Sequence, residues 1–111
     1  MDDKQNKETR KRERELSDIC TVIMTPEGRR FYWRVMEECK AFQLSFVGDT
    51  NATMFNEGKR SIGLWAFHEL LEAKPSAFQQ MQREHKSAET LDDIEHKEKL
   101  ESQEGILTRA V

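Results

Sequence analysis

The stretch TPEGRRFYWRVMEECKAFQLSFVGDTNATMFNEGKRSIGLWAFHELL, Thr25 to Leu71, decides how this chain can fold. It holds both tryptophans (Trp33 and Trp65), the only tyrosine (Tyr32), five of the six phenylalanines and four of the five glycines. What flanks it is mostly charge. Of 111 residues, 36% are hydrophobic and 35% are charged, so burial has to be concentrated in this centre. A core of roughly 50–60 residues is marginal by itself, because small domains bury a smaller fraction of their surface. The length admits one domain rather than two, and so small a core is a first sign of self-association or of a larger assembly.

Within the stretch, Thr25-Pro26-Glu27 opens a helix. Thr can cap it, Pro at the first helical position loses no needed N–H, and Glu sits near the positive helix end. This helix is expected to reach about Ala41, with Phe31, Val35, Cys39 and Phe42 on one stripe and Arg29, Trp33, Met36 and Lys40 on a neighbouring one. Gly48-Asp49-Thr50-Asn51 is turn chemistry followed by a cap, and Phe46 in the connection is expected to plug the core. A long helix is predicted from about Ala52 to Lys74, ended by Pro75. Phe55, Ile62, Trp65, Ala66 and Leu70 fall along one side of it, and Leu64, Phe67 and Leu71 along another. Phe31, Val35, Phe55, Ile62 and Trp65 are therefore the expected core. Gly58 and Gly63 each cost that helix about 1 kcal/mol against Ala. Such glycines often let another helix approach closely.

Outward from the centre, Leu16, Ile19, Cys20 and Ile23 follow helical spacing. They predict a first helix from about residue 9 to Met24 that docks only by its last two turns. Residues 1–15 carry six basic and five acidic side chains and no apolar stripe. After Pro75, a short helix to Lys86 offers a thin stripe of Phe78, Met81 and His85. Thr90 can open one more charged helix, with Leu91, Ile94 and Leu100 as its anchors, and Ile106-Leu107 forms a small apolar hook. Residues 76–111 carry five basic and eight acidic side chains. The expected architecture is all-α: a three- to four-helix domain over residues 16–86, a charged N-terminal arm over 1–15, and a polar, acidic C-terminal arm over 87–111.

Catalytic and ligand patterns are weak throughout. Cys20 and Cys39 have neither C-x-x-C spacing nor a paired histidine, and read as buried free thiols. Near Lys59 the phosphate-loop pattern fails at both ends, with Thr53 in place of the first Gly and Arg60 in place of Ser/Thr. His68-Glu69 begins like a zinc-protease helix, but Glu72 stands where the second histidine belongs. Glu37, Glu38, Glu57, Glu69 and Glu72 have no nucleophile or suitably spaced His beside them, so helix-surface solvation accounts for them better than acid–base work. The expectation is no enzyme, no cofactor and no metal. No run of 18 apolar residues exists and the N-terminus lacks an apolar stretch, so neither a membrane span nor a secretory signal is expected.

One basic constellation carries some weight. Arg29, Arg30 and Arg34 on one helix, with Lys59 and Arg60 on the next, could grip phosphates or a partner's carboxylates. The plainer reading pairs them with Glu37, Glu38, Asp49 or Glu57 of the same domain. A net charge of −3 argues against a dedicated non-specific nucleic-acid binder. A helix-turn-helix is disfavoured because about ten residues, not three or four, separate the helices.

Three blocks, Thr25-Pro26-Glu27-Gly28-Arg29-Arg30-Phe31, Ser45-Phe46-Val47-Gly48-Asp49 and Phe55-Asn56-Glu57-Gly58-Lys59-Arg60-Ser61-Ile62-Gly63, carry a resemblance. In order and spacing the chain resembles a family of short virion structural proteins of tailed, mostly short-tailed, bacteriophages, of the Bordetella-phage head/neck gene-cluster type. The resemblance spans roughly Met24 to Leu71. It implies a non-enzymatic protein of the virion, acting at the portal/neck or as an internal, ejected component beside portal, head–tail or internal proteins. The marginal core and the polar arms add the expectation of a homo-oligomer or multi-copy subunit. The alternative is a small DNA-packaging adaptor or regulator using the basic helix pair. The resemblance also implies that the Arg29-Arg30 and Glu57-to-Arg60 blocks matter. Physically, Gly28 and Gly58 would let two helices cross, with Arg29, Arg30, Glu57 and Arg60 in a charged network beside them.

Overall fold

Thr25 accepts a hydrogen bond from the Gly28 amide at 3.0 Å, and Pro26 takes the first helical position. The helix that this cap starts is the second of four among the described residues. In the computed structural model residues 3–110 are described, with side chains described through Gly105. The elements are α1 (Asp3–Val22), α2 (Pro26–Glu38), α3 (Thr50–Ala73) and α4 (Ala77–Ala110), with no strand among the described residues. The fold is a small all-α domain. The Ile106-Leu107 hook has side chains outside the described residues.

The ends of α2 and α3 have local causes. α2 stops because Lys40 takes a left-handed conformation, φ 53°. The Lys40 amide donates to Glu37 O at 2.9 Å and the Ala41 amide to Met36 O at 3.1 Å, the double bond of a Schellman ending. α3 begins where the Asp49 side chain accepts from the Asn51 amide at 3.1 Å. It ends at Lys74, ahead of Pro75.

The chain forms two compact units, one through Met81 and one from Gln82. The first is built round α3, which packs against both α1 and α2. Its buried core is Ile23, Met36, Ala41, Ala66, Leu70, Ala77 and Met81, flanked by half-buried Ile19, Tyr32, Trp33, Phe67 and Phe78. Phe67 and Phe78 meet edge to face at 4.8 Å between centroids, and Trp33 stacks on Phe78 at 5.7 Å. Tyr32 donates its hydroxyl to the Ala66 carbonyl, tying α2 to α3. The second unit is the continuation of α4, and none of its described side chains is buried.

The expected core is corrected. Phe31, Phe55, Ile62 and Trp65 are exposed, and Val35 is only half-buried. The reason is steric. A Cβ on Gly63 would lie 2.9 Å from the Cβ atoms of both Cys39 and Ala41, so the end of α2 touches α3 where α3 is thinnest. The buried side of α3 is therefore the Gly63, Ala66, Leu70 side, and the bulkier stripe faces outward. Phe46 does not plug the core either; it is exposed. No break separates residue 86 from residue 90, since Ser87-Ala88-Glu89 contains neither Gly nor Pro and Thr90 bonds back to Lys86 O at 2.9 Å. Nor does α1 dock by its last two turns alone: Arg12 reaches Glu69 and Glu72 of α3. Cys20 and Cys39 are free thiols but only half-buried, with Cys20 Sγ 3.4 Å from Ala73 O.

Candidate functional site

Arg29 turns back on the helix before it. Its Nη1 donates to Ile23 O at 3.0 Å and to Met24 O at 3.3 Å, satisfying carbonyls just past the end of α1. Gly28 makes room for this corner, because a Cβ there would lie 1.6 Å from the Val22 carbonyl oxygen. The first block of the resemblance is thus the α1–α2 corner. Arg30 makes an exposed pair with Glu27 at 3.7 Å, of small energetic value, and Arg34 is exposed on the same helix.

The other two blocks meet each other. Glu57 accepts from Ser45 Oγ at 2.5 Å and pairs with Arg60 at 3.2 Å. Asn56 Nδ2 donates to Ser45 O at 3.3 Å, and the Val47 amide donates to Thr53 Oγ1 at 3.2 Å. The first turns of α3 therefore clamp the connection that precedes them. The hydrogen bond from Ser45, and then Arg60, hold the Glu57 carboxyl below the usual carboxylate range. Lys59 Nζ sits 5.2 Å from the centroid of the Phe55 ring, a cation–π contact.

The charged network expected across a Gly28–Gly58 crossing does not form as such. Gly58 has nothing within 4 Å of an added Cβ. The contacts described for Arg29 and Arg30 run to α1 and within α2, while those of Glu57, Lys59 and Arg60 stay within α3 and its preceding loop. Of the three glycines expected at close packing, Gly63 stands at a contact between helices, Gly28 at a corner and Gly58 in open space.

The strongest polar cluster was not legible in the sequence. Arg12 holds both Glu69 and Glu72, with Nη1 3.0 Å from Glu69 Oε1. The guanidinium keeps the Glu69 carboxyl below its ordinary value, and Arg12 is in turn held more firmly protonated. Burial, with Glu69 nearby, pushes Tyr32 up to about 12. No group of three or more His, Cys, Asp or Glu among the described residues could hold a metal ion. No helix is long and apolar enough to cross a membrane, again among the described residues.

The surface feature that stands out is the outer side of α3. Met54, Phe55, Ile62 and Trp65 are 68%, 66%, 58% and 63% exposed. Together with Gly58 they recur at helical spacing, so they form one continuous apolar face. In the second unit an open depression of about 560 Å³ is lined by Arg83, Lys86, Ser87, Thr90 and Leu91, all on one side of α4.

No curated protein and no solved structure matches this chain. A family model described as Bbp19-like phage protein matches residues 19–83. That span is more than half of the chain and contains every buried core residue, from Ile23 to Met81. It reaches from the last turns of α1 into the start of α4, so the buried core with α2 and α3, and not only the three sequence blocks, falls within the match, while most of α1 precedes it. The chain belongs to the Bbp19-like family of phage proteins.

Proposed function

We propose that the chain is a non-enzymatic structural component of a bacteriophage virion that works by assembly, at the portal/neck or as an internal, ejected protein. The observation that carries this reading is the imbalance between core and surface. The described core has seven buried residues, three of them alanines, while Met54, Phe55, Ile62 and Trp65 stay in water. An apolar face of that kind on so small a domain is what a subunit interface looks like before its partner arrives. Membership of a phage family makes other virion proteins the natural partners.

Mass spectrometry of purified virions beside emptied particles tests the reading. Presence in both supports a portal or neck position, presence only in full virions supports an ejected protein, and absence from both defeats the proposal. The basic residues Arg29, Arg30, Arg34, Lys59 and Arg60 supply the test of the DNA-adaptor alternative. Several of them are engaged inside the domain, and the chain is net acidic at −3. No retention of duplex DNA is expected at about 150 mM salt, where phosphate contacts are strongly weakened. Specific retention there would favour the adaptor.

A further inference from the structure

We propose that the outer face of α3 is where a second copy of this chain packs, about a two-fold axis that passes close to Gly58. The inference takes the assembly reading one step further by naming this face's occupant.

Three observations converge on a like copy. The first is shape. Gly58 is exposed with nothing within 4 Å of an added Cβ, and Met54 and Phe55 precede it while Ile62 and Trp65 follow it. The face is thus a gap between two pairs of large side chains, and a two-fold axis at the gap seats each copy's knobs beside the other's gap. The second is charge. From Asn51 to Trp65 the residues of this face are uncharged, with the Lys59 ammonium over the Phe55 ring at one edge and Glu57 at the other, so a two-fold pairing brings no net repulsion. The third is area. Four side chains about two-thirds exposed leave roughly 500 Å² of apolar surface, taking about 150–250 Å² for a large aromatic. Doubled by symmetry this is about 1,000 Å², the lower bound for a specific interface.

Sedimentation equilibrium of the full chain, from micromolar to sub-millimolar concentration, is the test. The native chain is expected to dimerise. Ile62→Glu should weaken the dimer at least tenfold with unchanged helicity, because Ile62 is exposed in the single chain. Gly58→Leu should do the same by filling the gap, while the single chain keeps or gains helix stability. Gly58→Cys should cross-link to a covalent dimer under mild oxidation where the native chain does not, since a residue on the axis meets its own copy. A native chain that stays monomeric throughout, or a dimer that survives both Ile62→Glu and Gly58→Leu, overturns the proposal. If the native chain is monomeric yet Ile62→Glu is lost from virions, the face belongs to another virion protein. That outcome overturns self-pairing and leaves the structural role standing. A dimer broken by these variants in a protein absent from virions does the reverse.

Discussion

Arg12 and Glu69, 57 positions apart, join the middle of α1 to the last turns of α3. The pair gives acid sensitivity a definite source. Glu69 has a folded pKa below its usual 4.5, held there first by Arg12. A carboxylate depressed on folding stabilises the native state above its unfolded pKa, and that contribution is lost as pH falls through the folded value. The melting temperature should therefore hold steady down to about pH 5 and fall below it. Arg12→Gln should lower it at neutral pH and flatten the acid dependence, leaving a residue from Glu57. Thermal melts followed by circular dichroism at several pH values check both, and an acid profile unchanged by Arg12→Gln would remove Arg12 as the cause.

Tyr32 provides an independent reading of the α2–α3 contact. It is the only tyrosine, so tyrosinate absorbance reports it alone. The expected titration midpoint is about 12 in place of 10, caused first by burial and then by Glu69. The sign at high pH is opposite to that of Glu69: the stabilising contribution is full below 10 and disappears as pH rises through about 12. An ordinary midpoint near 10 would mean the hydroxyl faces water.

Leu70 and Trp65 should respond in opposite ways to truncation. Leu70 is fully buried, so Leu70→Ala should cost about 3–4 kcal/mol, as for other large core deletions. Trp65 is mostly exposed in the single chain, and Trp65→Ala should cost the monomer less than about 1 kcal/mol. Urea titrations at low protein concentration make the comparison, and equal losses would put Trp65 back in the core.

The close approach at Gly28 and the left-handed Lys40 should also diverge. Gly28→Ala places a Cβ inside contact distance of the Val22 carbonyl and should destabilise by about 2–3 kcal/mol, since backbone must move. Lys40→Gly relieves a left-handed residue and should stabilise by about 0.5–1 kcal/mol. Chemical denaturation midpoints decide both signs.

These contrasts show what the sequence could and could not disclose. The start of α2 at Thr25-Pro26 and the end of α3 before Pro75 are written in local chemistry, and the structure places them there. Which side of α3 turns inward is not local. Both sides are apolar, and the choice falls to Gly63 and Ala66, the residues small enough to admit the end of α2. Periodicity finds an apolar stripe without telling a core from an interface. Arg12 is one of eighteen cations, and nothing near it in sequence marks Glu69 as its partner. Arg29-Arg30 reads as a binding dipeptide, although Arg29 serves a helix end two residues before Thr25. The continuity of α4 is hard to read because polarity around Ser87 resembles a linker, although no Gly or Pro is there to break the helix.

The α4 segment beyond Gln82, with no buried described side chain, changes how this protein should be watched as it unfolds. Helix that buries none of its side chains melts gradually, by fraying and one residue at a time, whereas the packed unit through Met81 should lose its structure in one cooperative step. Far-ultraviolet ellipticity adds the two signals, so a single fitted enthalpy from it will be too small and will describe neither. Trp33, stacked on Phe78 inside the packed unit, reports the cooperative step alone once Trp65 is replaced by Phe. The difference between its sigmoid and the ellipticity curve is the helix–coil profile of α4, measured in the intact chain.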